Sequence, residues 1–250
     1  MKIIPLSEGR FTVDATKHFV PYNESEHSLK ERTVGSLLVE IQPFVIITLN
    51  DILLLDAGLG FSKDGRLQLH HNLVNAGINP SEITKVLLSH LHRDHAGGLA
   101  LHREAGECKL AFPQAVHYVQ ETELAFAFER NSSSFDKNDL KCLKENDNVQ
   151  LLNGDGFIDG YIEYKVSGAH SPHHQVFWIR EDGETVFYGG DEAPQLQQMK
   201  HRFAAKYDFD GKKAMELRQE WWRTGEEEKW SFLFYHDIKT PIFNNNANNR

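Results

Sequence analysis

The sequence predicts an α+β fold in which two mixed β-sheets pack face to face and helices cover their outer faces. Two observations lead there. Short apolar, β-branched segments come in meander-like groups separated by helices, which fits two packed sheets better than one doubly wound parallel sheet. Several of these segments lead, directly or within a few residues, into histidine or aspartate, so the residues capable of chemistry would gather at strand ends.

Taken in order, Leu37 to Gln42, Val45 to Leu49 and Ile52 to Leu55 read as strands, with Asn50-Asp51 as a hairpin turn. From Gly65 to Ala76, Leu67, Leu69, Leu73 and Val74 recur at helical spacing, and Gly77 stands where a helix would stop. Lys85 to Ser89 reads as a buried strand. Ala115 to Val119 is a strand followed by a helix over Glu121 to Arg130, which Asn131-Ser132-Ser133-Ser134 ends. Strands resume at Val149 to Leu152, Tyr161 to Val166, Gln175 to Arg180 and Thr185 to Tyr188, the last two joined by Asp182-Gly183, a strong hairpin signal. Helices are expected at Gln195 to Lys206 and Lys212 to Arg223, and a final strand at Ser231 to Tyr235. Trp221, Trp222 and Trp230 read as core, or as a pocket wall.

At 250 residues, 40% hydrophobic and 25% charged, the chain is long enough to bury a full core. One domain over residues 1–243 is expected, with 244–250 as a polar, disordered tail. No apolar run is long enough to span a bilayer, and the N-terminus lacks the apolar stretch of a secretory signal. Cys108 and Cys142 have no CxxC spacing and suggest neither a disulfide framework nor a zinc knuckle, so a reducing cytoplasm is the default location. A formal net charge of −9 argues against nucleic-acid binding, which relies on Lys and Arg contacts to phosphate.

The run Ser89-His90-Leu91-His92-Arg93-Asp94-His95-Ala96-Gly97-Gly98 carries the chemistry. Imidazole nitrogen and carboxylate oxygen together suit zinc, iron or manganese, whereas a soft metal would need thiolates. Past the strand, His90 and His92 point the same way because side chains alternate, and the next turn brings Asp94 and His95 beside them. Four donors exceed the need of one ion. Others follow later strands: His170 in Gly168-Ala169-His170-Ser171-Pro172-His173-His174, Asp191 in Gly189-Gly190-Asp191, and His236 after Tyr235.

With these residues the sequence resembles the metallo-β-lactamase superfamily from Asp56 to His236. His90, His92, Asp94 and His95 match its HxHxDH signature, Ala169 to His174 its GHTxGH segment, Gly190-Asp191 its aspartate turn and His236 its terminal histidine. The resemblance implies an αββα sandwich with a dinuclear site at one sheet edge. It assigns His90, His92 and His170 to one divalent ion and Asp94, His95 and His236 to a second, with Asp191 bridging; zinc is the expected metal, with iron or manganese as alternatives. Asp94 and Asp191 are then the catalytic carboxylates, Asp56 and His174 support the ligands from behind, and a bridging hydroxide would attack a small ester, lactone or phosphoester.

The pattern is most similar to the N-acyl homoserine lactonase and methyl parathion hydrolase branch, with one departure. Lactonases there carry a tyrosine three residues after the bridging aspartate, where this chain has Pro194, so Tyr188 or Tyr235 is the candidate substitute for contacting substrate. Alternatives are a mononuclear-iron thiol or persulfide oxidoreductase, disfavoured by the joint presence of Asp94, His95 and His236, and a nuclease, disfavoured by charge. The expected partner is a small-molecule substrate, without nucleic acid or membrane, and a homodimer is compatible with the aromatic-rich segments.

Overall fold

The computed structural model describes residues 1–102, 108–144 and 146–245. The first part of the chain supplies β1 (Lys2–Pro5), β2 (Gly9–Val13), β3 (Phe19–Pro21), β4 (Leu37–Ile41), β5 (Phe44–Ile47), β6 (Ile52–Leu55), β7 (Ser62–Lys63), β8 (Arg66–Leu67) and helix α1 (Gln68–Asn75). Then come β9 (Lys85–Leu87), the one-turn helix α2 (Arg93–Ala96), β10 (Ala100–His102), β11 (Cys108–Leu110), β12 (Val116–Gln120), α3 (Glu121–Glu129), α4 (Lys137–Leu140) and β13 (Val149–Leu152). The remainder forms β14 (Gly156–Ile158), β15 (Ile162–Val166), β16 (Gln175–Glu181), β17 (Glu184–Tyr188), α5 (Leu196–Lys200), α6 (Gly211–Glu227), β18 (Ser231–Leu233) and β19 (Ile242–Asn244).

Two six-stranded mixed sheets result, ordered β1-β5-β6-β9-β12-β13 and β14-β15-β16-β17-β18-β19. Each draws on one part of the chain. The layers follow from side-chain alternation: in β6, Leu53 and Leu55 point between the sheets toward Phe177, Ile179 and Tyr188, while Leu54 points into an outer core with Leu69 and Leu73 of α1. Burial on both faces explains why these strands read as unbroken apolar runs. A third core holds Trp178, Phe187, Trp221, Trp230 and Phe232 between the second sheet and α5 and α6, so Trp221 and Trp230 are core and do not line the cavity above the donor cluster. The order helix, sheet, sheet, helix agrees with the sequence expectation.

Local signals act as read. Helix α1 stops at Gly77, whose φ of +80° lets Gly77 N–H donate to Val74 O and Ile78 N–H to Leu73 O. Asp182 and Gly183 both have positive φ, as a tight hairpin requires.

Three expectations need correction. Cys108 and Cys142 are joined by a disulfide, with Cα atoms 5.4 Å apart and 34 residues between them in sequence. The turn Lys141–Leu143, just after α4, packs against β11 and creates that proximity, and the argument from lone cysteines to a reducing compartment loses its premise. The helix expected over Gln195 to Lys206 ends at Lys200. Asn244 closes β19 and the Asn245 amide donates to Gly225 O at 2.9 Å, so both are tied to the fold; residues 246–250 lie outside the described residues. No helix among the described residues is long and apolar enough to cross a membrane.

Candidate metal centre

Strand ends from both sheets converge on one edge. The β9 strand ends at Leu87, and the chain runs through His90 to His92, which stands at the N-terminus of α2; that turn of helix carries Asp94 and His95. Residue His170 follows β15, Asp191 follows β17 and His236 follows β18.

The donors form two groups, His90, His92, His170 and Asp191, and Asp94, His95 and His236, with potential ligand atoms within 4.8 Å of one another in each. In the first, His92 Nδ1 lies 2.9 Å from His90 Nε2 and 3.2 Å from His170 Nε2. In the second, His236 Nε2 is 3.4 Å from Asp94 Oδ2. The carboxylate of Asp191 lies between them. Its Oδ1 is 3.1 Å from His95 Nε2 and 2.9 Å from His236 Nε2, while Oδ2 is 3.2 Å from His170 Nε2.

Each of four histidines is fixed from behind by an oxygen at Nδ1, which leaves Nε2 turned inward. Ser89 Oγ stands 3.1 Å from His90, Asp56 2.7 Å from His95, Asp208 3.0 Å from His170, and Glu40 O 2.8 Å from His236. Such partners set the tautomer and raise ligand basicity. Asp56 is fully buried and also accepts from Ser89 N–H, Ser89 Oγ and the Tyr188 hydroxyl. His174 lies 3.0 Å from Ser167 Oγ through Nδ1 and accepts the Asp191 N–H at Nε2, so it holds the aspartate turn from behind.

The electrostatics suit a cation. Burial, then neighbouring imidazoles, push His90 and His92 well below the usual histidine range, which keeps their lone pairs free. Burial also works against charge on His95, but Asp191, Asp94 and Asp56 outweigh it and hold that imidazole well above the range. Asp191 is held well below the carboxylate range, because His236, His95 and His170 overcome its burial. His95 Nε2 and Asp191 Oδ1 are buried and lie 3.1 Å apart without the alignment of a hydrogen bond. Nitrogen donors 2.9–3.2 Å apart, with carboxylates and two unpartnered atoms at the centre, fit divalent ions with bonds of about 2.0–2.2 Å.

Above the donors opens a cavity of about 240 Å³. Its floor is His92, Asp94, His170, Asp191 and His236; its walls are Val13, Phe19, Leu37 and Val39 of the small β3-β2-β4 sheet, Phe203 and Tyr207 of the loop after α5, and Ser133 and Ser134. Tyr188 and Tyr235, expected to meet substrate, do not line it. Both are fully buried beneath the donors, with the Tyr188 hydroxyl on Asp56 and the Tyr235 hydroxyl on Asp94 O, and the Tyr235 ring stacked on His95 at 4.1 Å. The tyrosine that reaches the cavity is Tyr207, whose hydroxyl accepts from Gln198 Nε2 at 3.1 Å.

A buried acid lies near the loop after β6. Glu8 accepts the Leu59 N–H at 2.7 Å, and burial pushes its carboxyl up to about 7. A raised folded-state value means that the stabilising contribution is complete below pH ~4.5 and is lost as pH rises through about 7. The variant Glu8→Gln is therefore expected to exceed the wild type at pH 8 by up to ~3 kcal/mol and to lose that advantage at pH 4.5, as read by urea unfolding at both.

Residues 42–223 match the family model described as the metallo-beta-lactamase superfamily. The N-acyl homoserine lactonase AttM of Agrobacterium fabrum is 31% identical over 118 residues, 42% of this chain and 38% of that protein. The N-acyl homoserine lactonase AiiA of Bacillus thuringiensis subsp. kurstaki is 26% identical over 170 residues, 67% and 61% of the two chains. The matched region thus spans less than two thirds of either lactonase. Among solved structures, a probable metal-dependent hydrolase from Staphylococcus aureus superposes with a TM-score of 0.77 at 23% identity, covering 97% of this chain and 91% of that one. AidC, a dizinc quorum-quenching lactonase, gives 0.71 at 19%, covering 96% and 88%. The fold is shared with both, and with nearly three quarters of its length inside the family model, the chain belongs to the metallo-beta-lactamase superfamily.

Proposed function

We propose that this protein is a metal-dependent hydrolase of small esters or lactones that carry an apolar chain, using two divalent ions, zinc being the metal the donors suit best. The observation that carries the reading is the division of Asp191, one oxygen toward each donor group, at the floor of a cavity whose wall includes the apolar side chains Val13, Phe19, Leu37, Val39 and Phe203. His90, His92 and His170 would hold one ion, Asp94, His95 and His236 the other, with Asp191 shared. When bound, the ions would polarise the substrate oxygen and acidify water at neutral pH.

The chain's own residues do the rest. Val13, Phe19, Leu37 and Phe203 offer apolar surface to a substrate chain, which orients the scissile bond toward the floor. Burial pushes the Tyr207 phenol up to about 12, so it stays protonated and can donate to the carbonyl or leaving oxygen, the role left open by Pro194. Tyr207→Phe is expected to lower kcat/KM by about 10–100-fold with metal content unchanged; an unaltered kcat/KM would remove that role.

The deciding experiment is a metal count on purified protein followed by a panel of lactone, aryl ester, thioester, phosphodiester and phosphotriester substrates. Two ions per chain with the highest kcat/KM on acylated lactones or esters is the expected result. One iron per chain with oxygen uptake would instead indicate a thiol or persulfide oxidoreductase.

A further inference from the structure

A buried cation behind the centre has no role in the function proposed above. Arg218 lies midway along α6 and is the largest fully buried side chain among the described residues. A buried guanidinium costs several kcal/mol of desolvation, and an apolar side chain of similar volume would hold a helix to a sheet at least as well. Its contacts are specific. One terminal nitrogen donates to Glu192 O at 3.0 Å, on the turn that carries Asp191, and the other donates to Phe203 O at 2.6 Å, on the cavity wall. The third partner is Asp208, with Oδ2 3.8 Å from Arg218 and Oδ1 3.0 Å from His170 Nδ1. One cation thus ties the aspartate turn, the cavity wall and a donor histidine together.

We infer that Asp208 and Arg218 are positioning residues: Asp208 fixes the ring and tautomer of His170, and Arg218 orients the Asp208 side chain so that one oxygen faces the imidazole and the other the guanidinium. This rests on the reading of His170 as a ligand. Of the four oxygens behind the histidines, only that of Asp208 comes from the loop that also carries Phe203 and Tyr207, so ligand orientation and wall position are set by one loop.

Two substitutions at Asp208 should fall in an order that simple loss of packing would not produce. In Asp208→Asn the amide oxygen turns to the Arg218 donors, so the NH₂ faces His170 Nδ1. That moves the ring proton to Nε2, the atom needed as a ligand. In Asp208→Ala the ring keeps the freedom to present either tautomer. Zinc affinity, titrated against a chromogenic chelator, is expected to fall about 100-fold in Asp208→Asn but only about 10-fold in Asp208→Ala, for one of two ions. Thermal midpoints of the metal-free proteins should run the other way, with Asp208→Ala the lower because it leaves a cavity beside Arg218 and no side-chain oxygen facing the guanidinium, whereas Asn keeps both the volume and an oxygen. Equal zinc affinity in wild type and Asp208→Asn, with only the midpoint changed, overturns the inference and leaves the centre standing. A wild type that binds no metal overturns the reading of the centre itself. If Asp208→Asn does not fold, Arg218→Lys keeps the cation, and unchanged zinc affinity there is equally decisive against it.

Discussion

Replacing Asp191 with alanine should abolish hydrolysis, by at least about 1,000-fold or ~4 kcal/mol of barrier, and should leave purified protein with fewer than two ions. The size of the effect follows from position. Asp191 is the residue whose two oxygens face different donor groups, so its removal takes a contact from each at once. It also removes the negative charge that holds His95, His170 and His236 above the usual histidine range against the pull of burial. Without it, three imidazoles are left facing one another in the interior. His92→Ala should be milder in metal content, because His92 belongs to the first group alone. The measurement is parallel: metals by elemental analysis, turnover on the best substrate of the panel, and midpoint. Asp191→Ala protein with two ions, or with activity within tenfold of wild type, would sink the shared-carboxylate reading.

The candidate donors are legible in the sequence because their identity and strand-end placement are local. His90, His92, Asp94 and His95 need only a strand, one turn and the alternation of side chains to converge. His170, Asp191 and His236 needed the resemblance, since nothing in their own few residues says that three strands share an edge. The cavity wall was not readable. β2 and β3 are short and mix polar residues with Pro21, so they carry no alternation long enough to register, yet they contribute Val13 and Phe19. The loop after α5 shows the opposite error. Leu196, Met199 and Phe203 recur at helical spacing, but the Phe203 carbonyl is taken by Arg218 and Asp208 by His170, and those tertiary bonds win over propensity. The tyrosine of the cavity was missed for the same reason: Tyr207 sits on that loop. The disulfide is not legible in the sequence because 34 residues of sequence separation say nothing about distance in space.

The largest loss of stability is expected from Gly98→Ala, a single methyl. A Cβ on Gly98 would stand 2.0 Å from Ala57 O, which is backbone and cannot rotate away. The two segments are bonded at this crossing: Ala57 N–H donates to His95 O at 2.6 Å and Gly98 N–H to Gly58 O at 3.3 Å. Admitting a methyl group therefore means pushing the loop after β6 away from the segment after α2. Asp56 lies at the head of that loop and holds Ser89, His95 and Tyr188 through its two oxygens. Displacement would strain fully buried hydrogen bonds as well as the packing, so a cost of about 4 kcal/mol or more is expected, at the far end of single-substitution effects. Gly154→Ala is the matched control. It sits at a φ of +71° with nothing within 4 Å of the added methyl, so it should cost only the ~1 kcal/mol of an unfavourable backbone conformation. Urea unfolding of both variants separates the two causes. If Gly98→Ala falls no further than Gly154→Ala, the crossing yields more easily than its backbone contacts imply, and Asp56 does not depend on it; a large fall together with lost zinc binding ties the glycine to the centre through Asp56.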